Sequence, residues 1–241
     1  MRRVRLAGET QGRSWSLRRQ YGFYTALCLM AVVFTIVVAP SSGPYFGRFY
    51  GQTQPLAVML AAAAGGAAAL WVLSRFGFVI IEGRATISGI ALSAVFATVL
   101  AVAIVMADVL FRYPEDINLA LPQALLFYPA IGLTAEVVFH LLPLAFLIPA
   151  LGVTLRRSGR ERVIWFAVAL VAVLEPTFQV VVAGGGTGWV DVYTWLHVFA
   201  IAASQLYVFR RFDFASMYAF RLIYYLYWHI VWGAIRIPLL F

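Results

Sequence analysis

Long apolar stretches separated by short polar segments fill most of the chain after residue 20. Seven of these stretches approach or exceed the ~20 residues that an α-helix needs to cross the hydrocarbon core of a bilayer. They lie at residues 21–40, 55–74, 86–110, 121–155, 163–183, 191–209 and 214–240. The pattern predicts an all-α, polytopic membrane protein with about seven transmembrane helices.

The composition favours the same fold class. Hydrophobic residues make up 63% of the 241 residues and charged residues only 12%, and a soluble domain of this length cannot bury so much apolar surface. Residues 1–20 are basic, and the apolar run after them is longer than the core of a signal peptide, which predicts an uncleaved signal anchor. We therefore expect a basic cytoplasmic tail over residues 1–20 and a single transmembrane helical domain over residues 21–241.

The arginines predict how the chain is oriented. With the amino terminus in the cytoplasm, fourteen arginines fall on the cytoplasmic side and only Arg48 and Arg112 fall outside. The positive-inside rule then gives a cytoplasmic amino terminus and an outer carboxyl terminus in the cell (inner or plasma) membrane. The basic tail would also attract anionic lipids. This distribution explains the net charge of +8, so the charge does not argue for a nucleic-acid partner.

Several features limit the cofactors and the local structure. The chain has no lysine, which excludes a retinal Schiff base, and Cys28 is the only cysteine, which excludes an intrachain disulfide. The glycine-rich segment Gly184–Gly188 follows no strand, so we expect a linker and no nucleotide site. The run of alanine and glycine at residues 61–69 predicts close helix packing.

The candidate chemistry lies in ionisable residues inside the apolar stretches. Glu136 and His140 are four residues apart, so a carboxylate and an imidazole share one helix face. Glu175, His197 and His229 lie in later stretches. Counted at 1.5 Å per residue, all five lie roughly 20–30 Å from the nearest cytoplasmic arginine. Since charge inside a membrane is costly and usually functional, we expect a shared polar centre.

Simpler roles remain open for some of these residues. His197 could be a hydrogen-bond donor between helices, and Glu175, which precedes Pro176, could satisfy backbone groups at a proline kink. Arg221 could pair with a glutamate. The 35-residue stretch 121–155 is too long for one untilted crossing, so we expect a break near Pro129–Gly132 and a crossing helix over residues 133–155. Glu136 would then lie in the first turns of that helix, where the dipole favours a carboxylate.

Three segments of the carboxy-terminal half carry a family resemblance, over about residues 120–235. They are Ala135-Glu136-Val-Val-Phe139-His140, Leu174-Glu175-Pro-Thr-Phe-Gln179 and His229-Ile-Val-Trp-Gly233. In order and spacing they resemble the motifs Glu-Glu-x-x-x-Arg, Phe-x-x-x-His and His-x-x-x-Asn of the CAAX-processing and bacteriocin-processing (CPBP, Abi) intramembrane proteases. The chain differs from these motifs at four places. Ala135 replaces the first glutamate, His140 replaces the arginine and Gly233 replaces the asparagine. The histidine of the second motif is absent, and Glu175 or Gln179 lies near its place.

The resemblance implies peptide-bond hydrolysis inside the bilayer. It gives catalytic roles to Glu136, His140 and His229, with a membrane-embedded peptide or lipid-modified substrate. Glu136, His140, Glu175 and His229 could together bind a metal, and zinc accepts such nitrogen and oxygen ligands. Two alternatives stay open: a non-catalytic membrane scaffold or regulator of the same fold, and a small proton-coupled transporter.

Overall fold

The computed structural model of the chain describes residues 16–154, 159–182 and 188–241. The regular secondary structure of these residues is helical throughout, as predicted. The long helices are α1 (Leu17–Tyr50), α2 (Pro55–Ser74), α3 (Arg84–Phe111), α4 (Ala124–Thr154), α5 (Arg160–Val181), α6 (Trp189–Arg211) and α7 (residues 214–240). The basic tail before residue 16, Arg156 and Arg157, and most of the predicted glycine linker lie outside the described residues.

Helices α1 to α6 are each long and apolar enough to cross a membrane, so the chain is a multi-pass membrane protein. Their outer surfaces expose large apolar side chains such as Leu29, Val99 and Phe146, which a lipid-facing surface requires. Helix α7 is also long, but it is not among the six apolar helices, and it carries Arg221 and Arg236. The count of seven crossings therefore stays a prediction.

The predicted break in the fourth stretch is wrong. Helix α4 begins at Ala124 and continues through Pro129 and Gly132 to Thr154, the last residue described before a gap. Its irregularity lies further on, where Glu136–Leu141 forms a π-helical turn. Glu136 is thus twelve residues into the helix, so the helix dipole cannot stabilise its charge and another group must do so.

Small residues let the helices approach closely, as the run at residues 61–69 predicts. A side chain on Gly66 would place its Cβ 2.0 Å from the Tyr24 hydroxyl oxygen and 2.8 Å from Val137 Cγ2. A Cβ on Gly89 of α3 would lie 2.2 Å from the Ser216 hydroxyl oxygen on α7. Both glycines are therefore required by packing.

The start of α7 is tied to the segment between α2 and α3. Asp213 caps α7 by accepting a hydrogen bond from the Ser216 backbone N–H at 2.8 Å. The N–H groups of Phe214 and Ala215 donate to the carbonyls of Val79 and Ile80, each at 3.0 Å. These contacts hold the amino-terminal end of α7 in place.

The carboxyl ends of α2 and α6 and the amino-terminal end of α5 meet on one face of the bundle. Arg210 forms an ion pair with Glu161 at 2.7 Å, and Arg160 donates to the Arg75 carbonyl at 2.5 Å. On a different part of the molecule Arg48 pairs with Asp116. Arg75, Arg160 and Arg210 therefore lie on the same side of the bundle, and the orientation of that side in the membrane stays a prediction.

A buried ion pair fixes the other end of α7. Arg236 and Asp108 are both fully buried, and two N–H···O bonds of 2.7 and 2.9 Å join them. Arg236 also donates to the Tyr113 carbonyl at 2.6 Å, and Trp232 donates to Asp108 at 2.7 Å. Every polar atom of the pair thus has a protein partner, which identifies it as a structural clamp between α3 and α7.

Breaking this clamp should destabilise the bundle strongly. Asp108→Asn leaves the Arg236 charge buried without its counter-ion, and we expect a loss of about 3–5 kcal/mol in the free energy of unfolding. Denaturation of the purified protein in mixed detergent micelles measures this loss. Asp116→Asn, which removes an exposed carboxylate paired with Arg48, is the matched control and should have little effect. Equal losses in the two variants would contradict the structural role of the clamp.

Candidate functional site

Five polar or charged side chains from four helices meet inside the bundle. Glu136 and His140 come from α4, Glu175 from α5, Gln205 from α6 and Arg221 from α7, and none is more than 3% exposed. We call this set the buried polar centre. It brings together three of the four residues predicted as metal ligands, Glu136, His140 and Glu175.

Glu136 accepts hydrogen bonds from three different helices. Its Oε2 lies 2.6 Å from His140 Nδ1, one turn further along α4. Its Oε1 accepts from Gln205 Nε2 and from Arg221 Nε. Three donors around one carboxyl group indicate that Glu136 is an ionised carboxylate acting as an acceptor.

Arg221 is the counter-ion of both glutamates, and all five of its N–H hydrogens are used. Nε donates to Glu136, and the two terminal nitrogens bind Glu175 in a bidentate pair of 2.8 Å bonds. The remaining hydrogens go to Gln205 Oε1 at 3.1 Å and to the Tyr225 hydroxyl at 3.2 Å. The expected pairing of Arg221 with a glutamate is thus present twice.

The predicted four-residue metal site is not assembled by this geometry. Among the described residues, no three His, Cys, Asp or Glu side chains are placed so that they could hold a metal ion. Arg221 binds both carboxylates that would be ligands, and His229 is bonded to Asn118 instead. The guanidinium supplies the positive charge that a metal would bring, so the residues present do not fit zinc.

A cavity of about 640 Å³ reaches the buried polar centre from one side. Glu175, Gln179 and Arg221 lie on its wall, whereas Glu136 and His140 do not. Most of the remaining lining is apolar or aromatic, drawn from α1, α3, α4, α6 and α7, and includes Tyr128, Tyr224, Tyr225, Trp228, His197 and His229. The volume suits a ligand the size of a small organic molecule or a peptide segment.

A tyrosine of the same cavity lies outside the membrane-spanning segments. Tyr113 follows the end of α3, and its hydroxyl is 2.9 Å from the Thr194 hydroxyl. Burial raises the pKa of Tyr113 above its ordinary value, because the charged phenolate would lose its hydration. Tyr113 therefore stays a neutral hydrogen-bonding group on the cavity wall.

His229 lies on the cavity wall and is oriented by an asparagine from another segment. Its Nδ1 is 2.8 Å from Asn118 Oδ1, while Asn118 Nδ2 points to the Trp228 carbonyl at 3.5 Å. An amide oxygen only accepts hydrogen bonds, so His229 must carry its hydrogen on Nδ1. Its Nε2 then has a free lone pair.

Aromatic rings hold His229 on both sides. Tyr128 stacks on the imidazole with ring centroids 4.3 Å apart, and Tyr225 packs edge-on at 4.9 Å. Tyr225 is also the residue whose hydroxyl accepts from Arg221. His229 is therefore linked to the buried polar centre through Tyr225, and the described hydrogen bonds and ion pairs include no direct contact from it to Glu136 or His140.

Gly233 makes room for the asparagine that orients His229. A Cβ at this position would lie 3.1 Å from both Cβ and Nδ2 of Asn118. Gly233 is the position at which the resembled family motif has its own asparagine. In this chain Asn118, which comes from the segment between α3 and α4, occupies the space that the glycine leaves.

His197 joins helices, as its simpler role predicts. Its Nε2 is 3.0 Å from the Tyr224 hydroxyl on α7, and Tyr193 stacks on its ring with centroids 5.6 Å apart. His197 lines the cavity, but none of its described hydrogen bonds reaches the buried polar centre. We assign it to the cavity wall.

Three residues that the sequence did not single out complete the site. They are Gln205, which bonds Glu136 and Arg221; Tyr225, which bonds Arg221; and Asn118, which bonds His229. Gln205 lies eight residues, or about two helical turns, after His197 in an apolar helix. This spacing places both polar side chains on a similar face of the helix, which could have indicated Gln205 from the sequence. Asn118 lies in a loop far from His229 along the chain, so no sequence pattern indicated it.

No family model matches the chain, and neither does any curated protein or any solved structure.

The orientation of His229 should depend on the space left by Gly233. We expect Gly233→Val to displace Asn118, so that His229 loses its fixed Nδ1–H form. Nitrogen-15 NMR of histidine-labelled protein measures this form, and the chain has only three histidines to assign. Asn118→Ala should give the same change.

Gly152→Val is the matched control, because a side chain at Gly152 has nothing within 4 Å. It should leave the His229 spectrum unchanged. An unchanged Nδ1–H signal in Gly233→Val would contradict the assignment of Asn118 as the orienting residue.

Proposed function

We propose that the chain is an intramembrane hydrolase that cleaves a membrane-embedded peptide or lipid-modified substrate without a metal ion. The observation that carries the proposal is His229, whose Nδ1–H is bound by Asn118 and whose Nε2 lone pair is free on the cavity wall. A histidine oriented in this way is suited to take a proton from water and to return it to a leaving group.

Tyr225 supplies the second part of the proposed mechanism. Its hydroxyl oxygen accepts a hydrogen bond from Arg221 at 3.2 Å, which leaves the hydroxyl hydrogen free to donate to a ligand in the cavity. A donor polarised by a buried cation can stabilise the oxyanion that forms when water attacks a carbonyl carbon. Arg221 acts through Tyr225, since all five of its hydrogens are used and none is left to donate to the substrate.

The proposed reaction follows from these two groups. A water molecule attacks the substrate carbonyl carbon while His229 Nε2 takes one of its protons, and Tyr225 donates to the oxygen that becomes negative. Collapse of the intermediate breaks the bond to the leaving group, which receives the proton from His229. Glu136 and Glu175 have a supporting role here, since they fix the position of Arg221, and His140 acts through its bond to Glu136.

Loss of hydrolysis in His229→Gln tests the mechanism. General acid–base catalysis contributes about 10²–10⁴-fold to a rate, so we expect the rate of hydrolysis to fall by that factor. The protein is reconstituted in proteoliposomes with a library of membrane-spanning peptides, and mass spectrometry identifies the products. Tyr225→Phe should also lower the rate, and a metal chelator should not. Glu161→Gln, which removes an exposed carboxylate paired with Arg210 at the end of α6 opposite the cavity, is the control.

Activity that a chelator abolished and zinc restored would overturn the metal-free mechanism. Full activity in His229→Gln would remove His229 from catalysis. A folded wild-type protein with no hydrolysis of any peptide would favour the alternative of a non-catalytic scaffold or regulator.

A proton-coupled transporter is the second candidate, because the cavity ends on a buried ion pair, Glu175–Arg221. Ionisable groups at the end of a pathway inside a membrane are typical of proton-coupled carriers. Proteoliposomes that hold a pH-sensitive dye distinguish the two functions. Only a carrier would move protons together with a solute across the membrane.

The proposal includes an orientation in the cell membrane: seven crossings, the amino terminus in the cytoplasm, α7 crossing last and the carboxyl terminus outside. Its support is the fourteen arginines assigned to the cytoplasmic side against two outside. Anionic lipids would contact the basic amino-terminal tail.

Reporter fusions test this orientation. A reporter fused after Asp191 should report a position outside the cell, and one fused after Arg211 should report a position in the cytoplasm, because α6 lies between the two fusion points. The same side for both fusions would contradict the assignment of α6 as a crossing helix.

A further inference from the structure

The formal charges of the buried polar centre do not balance without one additional proton. Glu136 and Glu175 bring two negative charges and Arg221 brings one positive charge, while Gln205 and Tyr225 are neutral. The centre is buried in apolar surroundings, where an unpaired charge is strongly unfavourable. One further proton within the centre would bring its net charge to zero.

His140 is the group placed to carry that proton. Its Nδ1 lies 2.6 Å from Glu136 Oε2, so Nδ1 carries a hydrogen and donates it. Its Nε2 lies 3.6 Å from Glu175 Oε2 and is one of three buried side-chain nitrogen or oxygen atoms, among the described residues, without a hydrogen-bond partner. A neutral imidazole would direct a lone pair at a carboxylate oxygen, which is repulsive, whereas a protonated one directs an N–H.

The other charged or titratable groups close to the two carboxylates do not offer an alternative site for a positive charge. Arg221 already donates all five hydrogens, and Tyr218 donates its hydroxyl hydrogen to the Pro129 carbonyl at 2.7 Å. Tyr225 accepts from Arg221. Among the described residues, the ionisable side chains joined by ion pairs or hydrogen bonds in the centre are Glu136, Glu175, His140 and Arg221, and Tyr225 is bonded to Arg221.

We propose that His140 is held as an imidazolium between Glu136 and Glu175, and that it stores a proton which it passes to Glu175 at the inner end of the cavity. In the transfer the His140 Nε2–H bond breaks and a Glu175 Oε2–H bond forms. His140 becomes a neutral imidazole that keeps its Nδ1–H, and Glu175 becomes a neutral carboxylic acid. The net charge of the centre stays at zero during this transfer, and it becomes −1 only when Glu175 gives the proton to a ligand in the cavity.

Glu175 can deliver this proton because it alone of the two glutamates reaches the cavity wall. His140 is fully buried and has no cavity contact of its own. Proton delivery to a cavity ligand is therefore a role of the His140–Glu175 pair that the hydrolytic mechanism does not use, and it holds whether or not His229 is a catalytic base.

The stored proton can be observed directly in the resting protein. The full-length chain, with nitrogen-15 in its three histidines, is placed in lipid nanodiscs at near-neutral pH, and His197→Gln and His229→Gln assign the other two rings. We expect His140 to show two N–H groups. Glu175→Gln removes one negative charge, so His140 should lose its Nε2–H and keep only the Nδ1–H.

Glu136→Gln provides a second variant with the same change of charge, and it too should leave His140 with one N–H. Asp116→Asn removes a carboxylate remote from the centre and should leave both N–H groups in place. A single N–H on His140 in the wild-type protein would overturn the proposal, as would two N–H groups in Glu175→Gln. Infrared spectroscopy provides a further check. If the resting wild-type protein shows a band of a protonated carboxylic acid, and Glu175→Gln removes that band, then the proton lies on Glu175 and the proposal is overturned.

Discussion

Two carboxylates and one guanidinium are buried together between the helices, and the arrangement of the helices follows from this constraint. Arg221 can pair with both Glu136 and Glu175 only if α7 lies beside α4 and α5 at the same depth. Gly132 permits that approach, since a Cβ there would lie 3.3 Å from Arg221 Cδ and from Tyr225 Cε2. Gln205 adds a donor to Glu136 and an acceptor for Arg221, so one amide satisfies both partners.

The same constraint separates the parts of the site. Because Arg221 donates every hydrogen it has, the ion-pair network is saturated and resembles a structural core more than an open binding surface. Two groups with unused bonding capacity lie beside it on the cavity wall: Tyr225 with its hydroxyl hydrogen and His229 with Nε2. Chemistry at this site would therefore take place at the edge of the network, where the cavity meets it.

Much of this could be predicted from the sequence, and the failures have physical causes. Helix type, most helix positions and the meeting of Glu136, His140 and Glu175 follow from apolar length, helical spacing and depth. The predicted helix break at Pro129 was wrong, because in lipid the backbone N–H and C=O groups find hydrogen-bond partners only if the segment remains helical. The contact of Asn118 with His229 joins residues 111 positions apart, and neither spacing nor depth locates a partner in a loop.

The order of the charges along the chain has a consequence for how the protein is made. Glu136 and Glu175 precede Arg221 by 85 and 46 residues, so at 5–20 residues per second they are synthesised about 4–17 s and about 2–9 s before it. During that interval the acids meet the membrane without their counter-ion, and an isolated carboxyl group in an apolar medium is neutralised by taking up a proton. When α7 packs against α4 and α5, Arg221 replaces one of those protons as the positive charge beside the acids, and under the proposal above the other proton moves to His140.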